Sequence, residues 1–184
     1  MIWILGFLGA LVALLYGIYV GLVKKKNDVK ESASGIDVQL KKRYDLIPNM
    51  LKAAAKFMEH EKELFSQLTA LREQAMNAQN YSEKFEADAK ISSALRAFNI
   101  RAEAYPMLKS DATMVNAQQA MAETEEHIAA ARRFYNSAVK EYKNALEIFP
   151  SSMVAQMMGL KDEYPFFEAE DEAKESIDVN QFFN

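Results

Sequence analysis

The sequence has no cysteine, and only two histidines, six glycines and four prolines among 184 residues. Without cysteine there are no disulfides, no thiolate metal sites and no thiol nucleophile, although the absence does not by itself assign a compartment. Scarce histidine limits metal chemistry further. Helical bundles that hold two metals use Glu-x-x-His pairs, but Phe57 stands three residues before His60 and Thr124 three before His127. His60-Glu61 also fails the zinc-protease pattern, because Leu64 occupies the place of its second histidine. Glu123 and His127 share a helix face one turn apart, but two ligands rarely make a site, and a surface hydrogen bond suits them better. Four of the glycines, Gly6, Gly9, Gly17 and Gly21, lie in one apolar stretch, so no glycine loop is left to cradle phosphate. No Ser-His-Asp arrangement is recognisable either. The chain is therefore expected to be non-enzymatic, with no catalytic residues, no metal site and no cofactor.

Charge is missing altogether from Met1 to Val23, and the next three residues are Lys24, Lys25 and Lys26. An apolar helix of that length rises about 1.5 Å per residue and spans roughly 33 Å, the hydrocarbon thickness of a bilayer. A secretory signal has basic residues before its apolar stretch and a small-residue cleavage site after it. Here the order is reversed, which predicts an uncleaved signal anchor and a lipid membrane as the first partner. Lysines on the C-terminal flank predict a single-pass protein with its N-terminus outside and its body in the cytoplasm. Trp3, Tyr16 and Tyr19 suit interfacial anchoring at the two ends of the span. Gly9, Ala13, Gly17 and Gly21 recur every four residues and form a stripe along which a second transmembrane helix could pack closely. Self-association into a homo-oligomer is one expectation from this stripe; the other is that glycine and alanine are common in such segments.

The net charge of −4 conceals a gradient. Lys24 to Lys56 holds nine basic and four acidic residues, whereas Lys161 to Asn184 holds two basic and eight acidic. The basic cluster lies beside the bilayer, where it serves as a solubilising flank and topology signal, so no nucleic-acid partner is expected. Few helix breakers remain in the rest of the chain. Helices are predicted over 36–77, 82–104 and 111–148, with a short fourth over 151–160. In the longest-range pattern, Met114, Met121, Ile128, Tyr135, Tyr142 and Phe149 recur at spacings of seven, with Ala117, Thr124, Ala131, Ala138 and Ala145 three residues after each of the first five. Large and small side chains alternating along one seam suit tight antiparallel helix pairing. Asp111 is placed to cap this helix and Pro150 to stop it. Pro48 must kink the first helix or start a new one.

The fold class that results is all-α: an N-terminal transmembrane helix followed by an antiparallel bundle of three long helices, a short fourth helix and an acidic C-terminal tail. The segments are the anchor at 1–23, a basic juxtamembrane linker at 24–35, the bundle at 36–160 and an acidic, aromatic tail at 161–184. Phe166, Phe167, Phe182 and Phe183 suggest that parts of the tail dock on the body.

The stretch Ile36-Asp37-Val38-Gln39-Leu40-Lys41-Lys42-Arg43-Tyr44-Asp45-Leu46-Ile47-Pro48-Asn49 closely resembles the LemA family. His60-Glu61-Lys62, Glu103 to Lys109, Ala131-Arg132-Arg133-Phe134-Tyr135-Asn136 and Phe149-Pro150-Ser151 follow in the same order, so the resemblance covers nearly the whole chain. It departs at Val20, where relatives often carry Asn. The resemblance implies a helical, membrane-anchored bacterial protein, here assigned to the inner membrane. Some relatives are associated with magnetosome membranes, and others look like lipoproteins with the body outside the cytoplasm.

Arg43, Asp45, Asn49, Arg132, Arg133 and Asn136 lie near positions that should face the bundle, where charge is costly unless paired. One reading is an intramolecular network, with Asp45 accepting from an arginine and setting the register between helices. The other is a polar groove for a partner or small ligand. The leading functional expectation is a membrane-anchored scaffold or interaction protein that organises copies of itself or other membrane or cytoplasmic proteins. The alternative is a ligand-sensing or envelope-stress component that uses the polar groove.

Overall fold

The computed structural model describes residues 2–168 and is all-helical over its elements. In chain order these are α1 (Ile2–Ala54), α2 (Lys62–Met76), α3 (Tyr81–Ala102), α4 (Pro106–Lys109), α5 (Ala112–Glu147) and α6 (Ser151–Met157). Residues 161–168 follow without regular structure. Phe182 and Phe183 lie outside the described residues.

α1 is a single helix of 53 residues. It passes through the lysines and the 24–35 segment without a break and also through Pro48, then ends at Ala54. The helix expected over 36–77 is instead interrupted over 55–61, where the Ala55 and Met58 amides return to carbonyls of α1 and the chain turns into α2. Proline removes one donor but does not end a helix whose flanking side chains are buried on one face. Ile47, Met50 and Leu51 hold that face here.

The chain forms two compact units. The first contains α1 up to Arg43 together with Ala122–Phe166. In it α1 buries Leu22, Val29, Ala33, Ile36 and Leu40, which recur three, four or seven residues apart. α5 buries Ile128, Tyr135, Val139 and Tyr142. Lys25 pairs with Glu141 and, further along α1, Arg43 pairs with Glu125, further back along α5. Numbers rise on one helix as they fall on the other, so the two run antiparallel. Leu22, Val154 and Ala155 form a cluster closed by Ile18, Tyr19, Ala145, Leu146 and Leu160. Phe149, the last member of the heptad series, leaves the seam and is 73% exposed, because α5 ends at Glu147 and the chain turns before Pro150.

The second unit contains Tyr44–Met121 and the described residues after Phe166. α2 and α3 pack against each other, with Leu64, Leu68 and Ala75 buried on α2 and Ile91, Ala94, Leu95, Phe98 and Ala102 on α3. The α3 start is a reciprocal cap: the Glu83 amide donates to Asn80 Oδ1 at 2.9 Å, and the Gln79 amide donates to the Glu83 carboxylate at 2.9 Å. Asp111 caps α5 as its spacing predicts, accepting from the Met114 amide at 2.9 Å. Phe167 docks by stacking on Phe85, ring centroids 4.1 Å apart.

Phe98 is wholly buried, with its ring 6.2 Å from that of Phe65. Phe98→Ala should lower unfolding stability by about 3–5 kcal/mol, from the lost apolar transfer and the cavity left behind. Phe134→Ala, at a site 73% exposed, should cost less than about 0.5 kcal/mol. Denaturant titration of both variants in detergent, followed by helical circular dichroism, measures the contrast.

Candidate functional site

The six polar residues singled out in the sequence fall in both units. Arg43, Arg132, Arg133 and Asn136 belong to the first, Asp45 and Asn49 to the second. Arg43 is buried and its guanidinium pairs with Glu125, a residue that no motif indicated. Arg132 and Asn136 are half-buried on α5, and Arg133 is exposed. Asp45 and Asn49 are exposed on α1. Asp45 does approach an arginine, but it is Arg72 of α2, at 4.0 Å. Arg72 also donates through Nε to the Tyr44 carbonyl at 2.7 Å, which ties α2 to the end of α1. Glu61, from the His60-Glu61-Lys62 match, accepts from Arg101 Nη1 at 2.9 Å and lies 3.5 Å from the Tyr105 hydroxyl. These arginines act as clamps between helices that are distant in sequence. Helical periodicity marks only the face a residue occupies, so it could not have named Glu125 or Arg72.

A shallow, open groove of about 570 Å³ runs between the end of α1 and α2, lined by Leu51, Ala55, Phe65, Thr69 and Glu73 among others. None of the six motif residues lines it. Among the described residues, no three His, Asp or Glu side chains come together in a metal-ligating group. His127 lies 3.6 Å from Glu123, both exposed.

The charge gradient has a spatial counterpart in the first unit. Lys25 Nζ donates to Glu141 at 2.8 Å, Lys26 lies 3.7 Å from Glu163, and Lys143 lies 2.8 Å from Asp162. The start of the acidic segment thus returns to the basic root. It is fastened there by the two large seam tyrosines. Tyr142 donates to the Lys161 carbonyl at 3.2 Å and Tyr135 to the Pro165 carbonyl at 2.8 Å. The Tyr164 ring meets the Tyr142 ring edge-on at 6.0 Å, and Lys143 sits 5.0 Å from the Phe166 centroid. Burial pushes the Tyr142 hydroxyl above the ordinary phenol range, and the negative charge of Glu163 adds to the effect, so it stays a donor. The hydrogen bond from Lys25, reinforced by its charge, holds the Glu141 carboxyl below the usual range.

Residues 2–17 of α1 are exposed or nearly so, and α1 is long and apolar enough to cross a membrane, with none of its most apolar window buried in the chain. Gly9, Ala13, Gly17 and Gly21 are all exposed, and a methyl group placed on any of the three glycines would meet no atom within 4 Å.

Together these features define a class: an all-helical body carried by a long helix whose N-terminal part is apolar and uncovered. The family model for LemA matches residues 32–182, and the chain belongs to the LemA family. Protein LemA of Metamycoplasma hominis is 24% identical over 178 residues, an alignment that covers 94% of this chain and 81% of that protein. The family model begins at residue 32, after the lysine cluster.

Two expected outcomes test the clamps. Glu125→Gln should destabilise the fold by about 1–3 kcal/mol, because a buried guanidinium loses a charge-assisted bond. In an Arg43→Met background the same substitution should cost far less, which a double-mutant cycle measures. For Glu141, folding lowers the carboxyl pKa, so the pair with Lys25 contributes above the ordinary carboxylate range and is lost as pH falls through the folded value. Carboxyl-carbon NMR should place the Glu141 midpoint below that of an unfolded glutamate, and Lys25→Met should raise it back.

Proposed function

We propose that this protein is a non-enzymatic, membrane-anchored helical scaffold that presents its body to partners at the bacterial inner membrane. α1 spans the bilayer with the N-terminus outside and the body in the cytoplasm, as the lysines at its inner end favour. Copies associate through the face that carries Gly9, Ala13, Gly17 and Gly21. The observation that carries this reading is the continuity of α1: one unbroken helix is uncovered and apolar over residues 2–17, then turns into the buried seam of the first unit. An apolar surface of that extent is unstable in water and stable in lipid. Open space over the glycines supports close approach of a second helix, since packing between membrane helices rests on small side chains. A structural use of Arg43, engaged by Glu125, favours this reading over a ligand-sensing groove.

Full-length protein should resist extraction from membranes by alkaline carbonate, and in lipid nanodiscs it should crosslink into dimers or larger assemblies. Gly17→Leu with Gly21→Leu should return it to monomer without releasing it from the membrane. Extraction of the native chain by carbonate would remove the anchor from the reading, and a strictly monomeric native chain would remove the assembly.

A further inference from the structure

The corner between α5 and α6 exposes an apolar surface that the body does not need for its own packing. Ile148 is 59% exposed, Phe149 73%, Met153 58% and Met157 79%. From Ile148 to Leu160 there is no charged residue, while Glu147 and Lys161 stand immediately outside. Met153 and Met157 lie one turn apart on α6 and share a face, whereas Val154 and Ala155 are buried against Leu22.

The level of this corner along α1 identifies what it meets. Lys25 pairs with Glu141, and α5 runs antiparallel to α1, so each residue after Glu141 moves towards the apolar end of α1. The seven residues from Glu141 to Ile148 advance about 10 Å, to the level of Ile18. The packing agrees, since Ile18, Tyr19 and Leu22 are the residues that Ala145, Leu146, Val154 and Ala155 surround. The corner therefore lies beyond the lysines, within the stretch of α1 that has no charge, and next to its uncovered apolar run.

Several of its polar groups are satisfied locally, which lowers the cost of a low-dielectric setting. The Ser151 hydroxyl donates to the Ile148 carbonyl at 2.8 Å. The Ser152 amide donates to the same carbonyl at 2.9 Å, and the Leu160 amide to Ala155 at 3.0 Å. Of the three root lysines, Lys25 pairs with Glu141 and Lys26 with Glu163, while Lys24 stays exposed.

We propose that residues 148–158 form a second membrane contact: beside the anchor they enter the headgroup and upper acyl region of the phospholipid bilayer, with Phe149, Met153 and Met157 in lipid. An interfacial element of this kind lies along the surface rather than crossing it. The inference rests on the anchor reading above, and its test separates the two.

Trp3 is the sole tryptophan, so the chain supplies its own control. Native protein and the Phe149→Trp, Met157→Trp and Phe134→Trp variants, each in a Trp3→Phe background, are reconstituted in phosphatidylcholine vesicles. The lipid is unbrominated, or brominated near the head end or near the tail of the acyl chains. Tryptophan at 149 and at 157 should lose most of its emission to head-end bromines, and tryptophan at 134 should lose none. Trp3 quenched but 149 and 157 unquenched would overturn the second contact and leave the anchor intact. Blue-shifted, unquenched emission at 149 and 157 would mean that another copy of the chain covers the corner, which overturns it equally. Trp3 unquenched by any brominated lipid would overturn the anchor and the corner together. Two independent sites guard against one variant failing to fold.

Discussion

The rest of the structure depends on the continuity of α1. A helix that passes from an uncovered apolar stretch into a packed body without a break must change the pattern of its side chains while keeping its backbone bonds. It does so within about two turns. Leu22 and Val29 are successive buried positions of one face, and Lys24, Lys25 and Lys26 fall between them, with Lys24 exposed and the other two half-buried. The seam is therefore not interrupted by the charges. Helix propensity favours this solution as well, because the segment after the anchor has one glycine, Gly35, and no proline before Pro48.

What closes the first unit around α1 is a hierarchy of unequal interactions. Lys25–Glu141, Lys26–Glu163 and Lys143–Asp162 are at least partly exposed, and such pairs contribute little and weaken in salt. The tyrosines contribute more. Tyr135 and Tyr142 are wholly buried, so their rings supply apolar area and their hydroxyls reach carbonyls of the returning segment. A phenylalanine in either place would fill the seam but leave a carbonyl of that segment without its donor. The ion pairs orient the segment, and the phenols hold it.

Local signals made much of this architecture legible. α3 and α5 begin and end within a few residues of where their periodicity and caps place them, and Asp111 caps α5 as its position before the apolar repeat implies. Two expectations failed for physical reasons. The helix predicted over 36–77 is interrupted over 55–61 and not at Pro48, where a well-buried face outweighs one missing donor, and Phe149 leaves the heptad series, because the repeat continues in the sequence after the helix has ended. Of the six polar residues only Arg43 is buried, while Asp45, Asn49 and Arg133 are exposed, and the pairings were not legible at all. Arg43 finds Glu125 and Asp45 approaches Arg72 across helix contacts that no local pattern encodes. The return of Glu163 to Lys26 was likewise hidden, since charge counting along a chain records how much charge each end carries and not where the ends meet.

The geometry of α1 also determines whether its two uses conflict. Successive residues are rotated by about 100° around the helix, so Ile18, Tyr19 and Leu22 occupy one face while Gly17 and Gly21 lie roughly a third of a turn away. The first face is covered by α6 and the end of α5, and the second stays exposed, with open space over both glycines. Had the small residues fallen on the covered face, packing of the body would have excluded a neighbouring helix from the inner end of the stripe. Because they do not, a second helix can approach Gly9, Ala13, Gly17 and Gly21 along their whole length with the α5–α6 corner in place. Under the proposed association, the antiparallel pairing of α1 with α5, fixed at Lys25 and Arg43, means that rotation of α1 about its axis sets the direction in which the first unit faces.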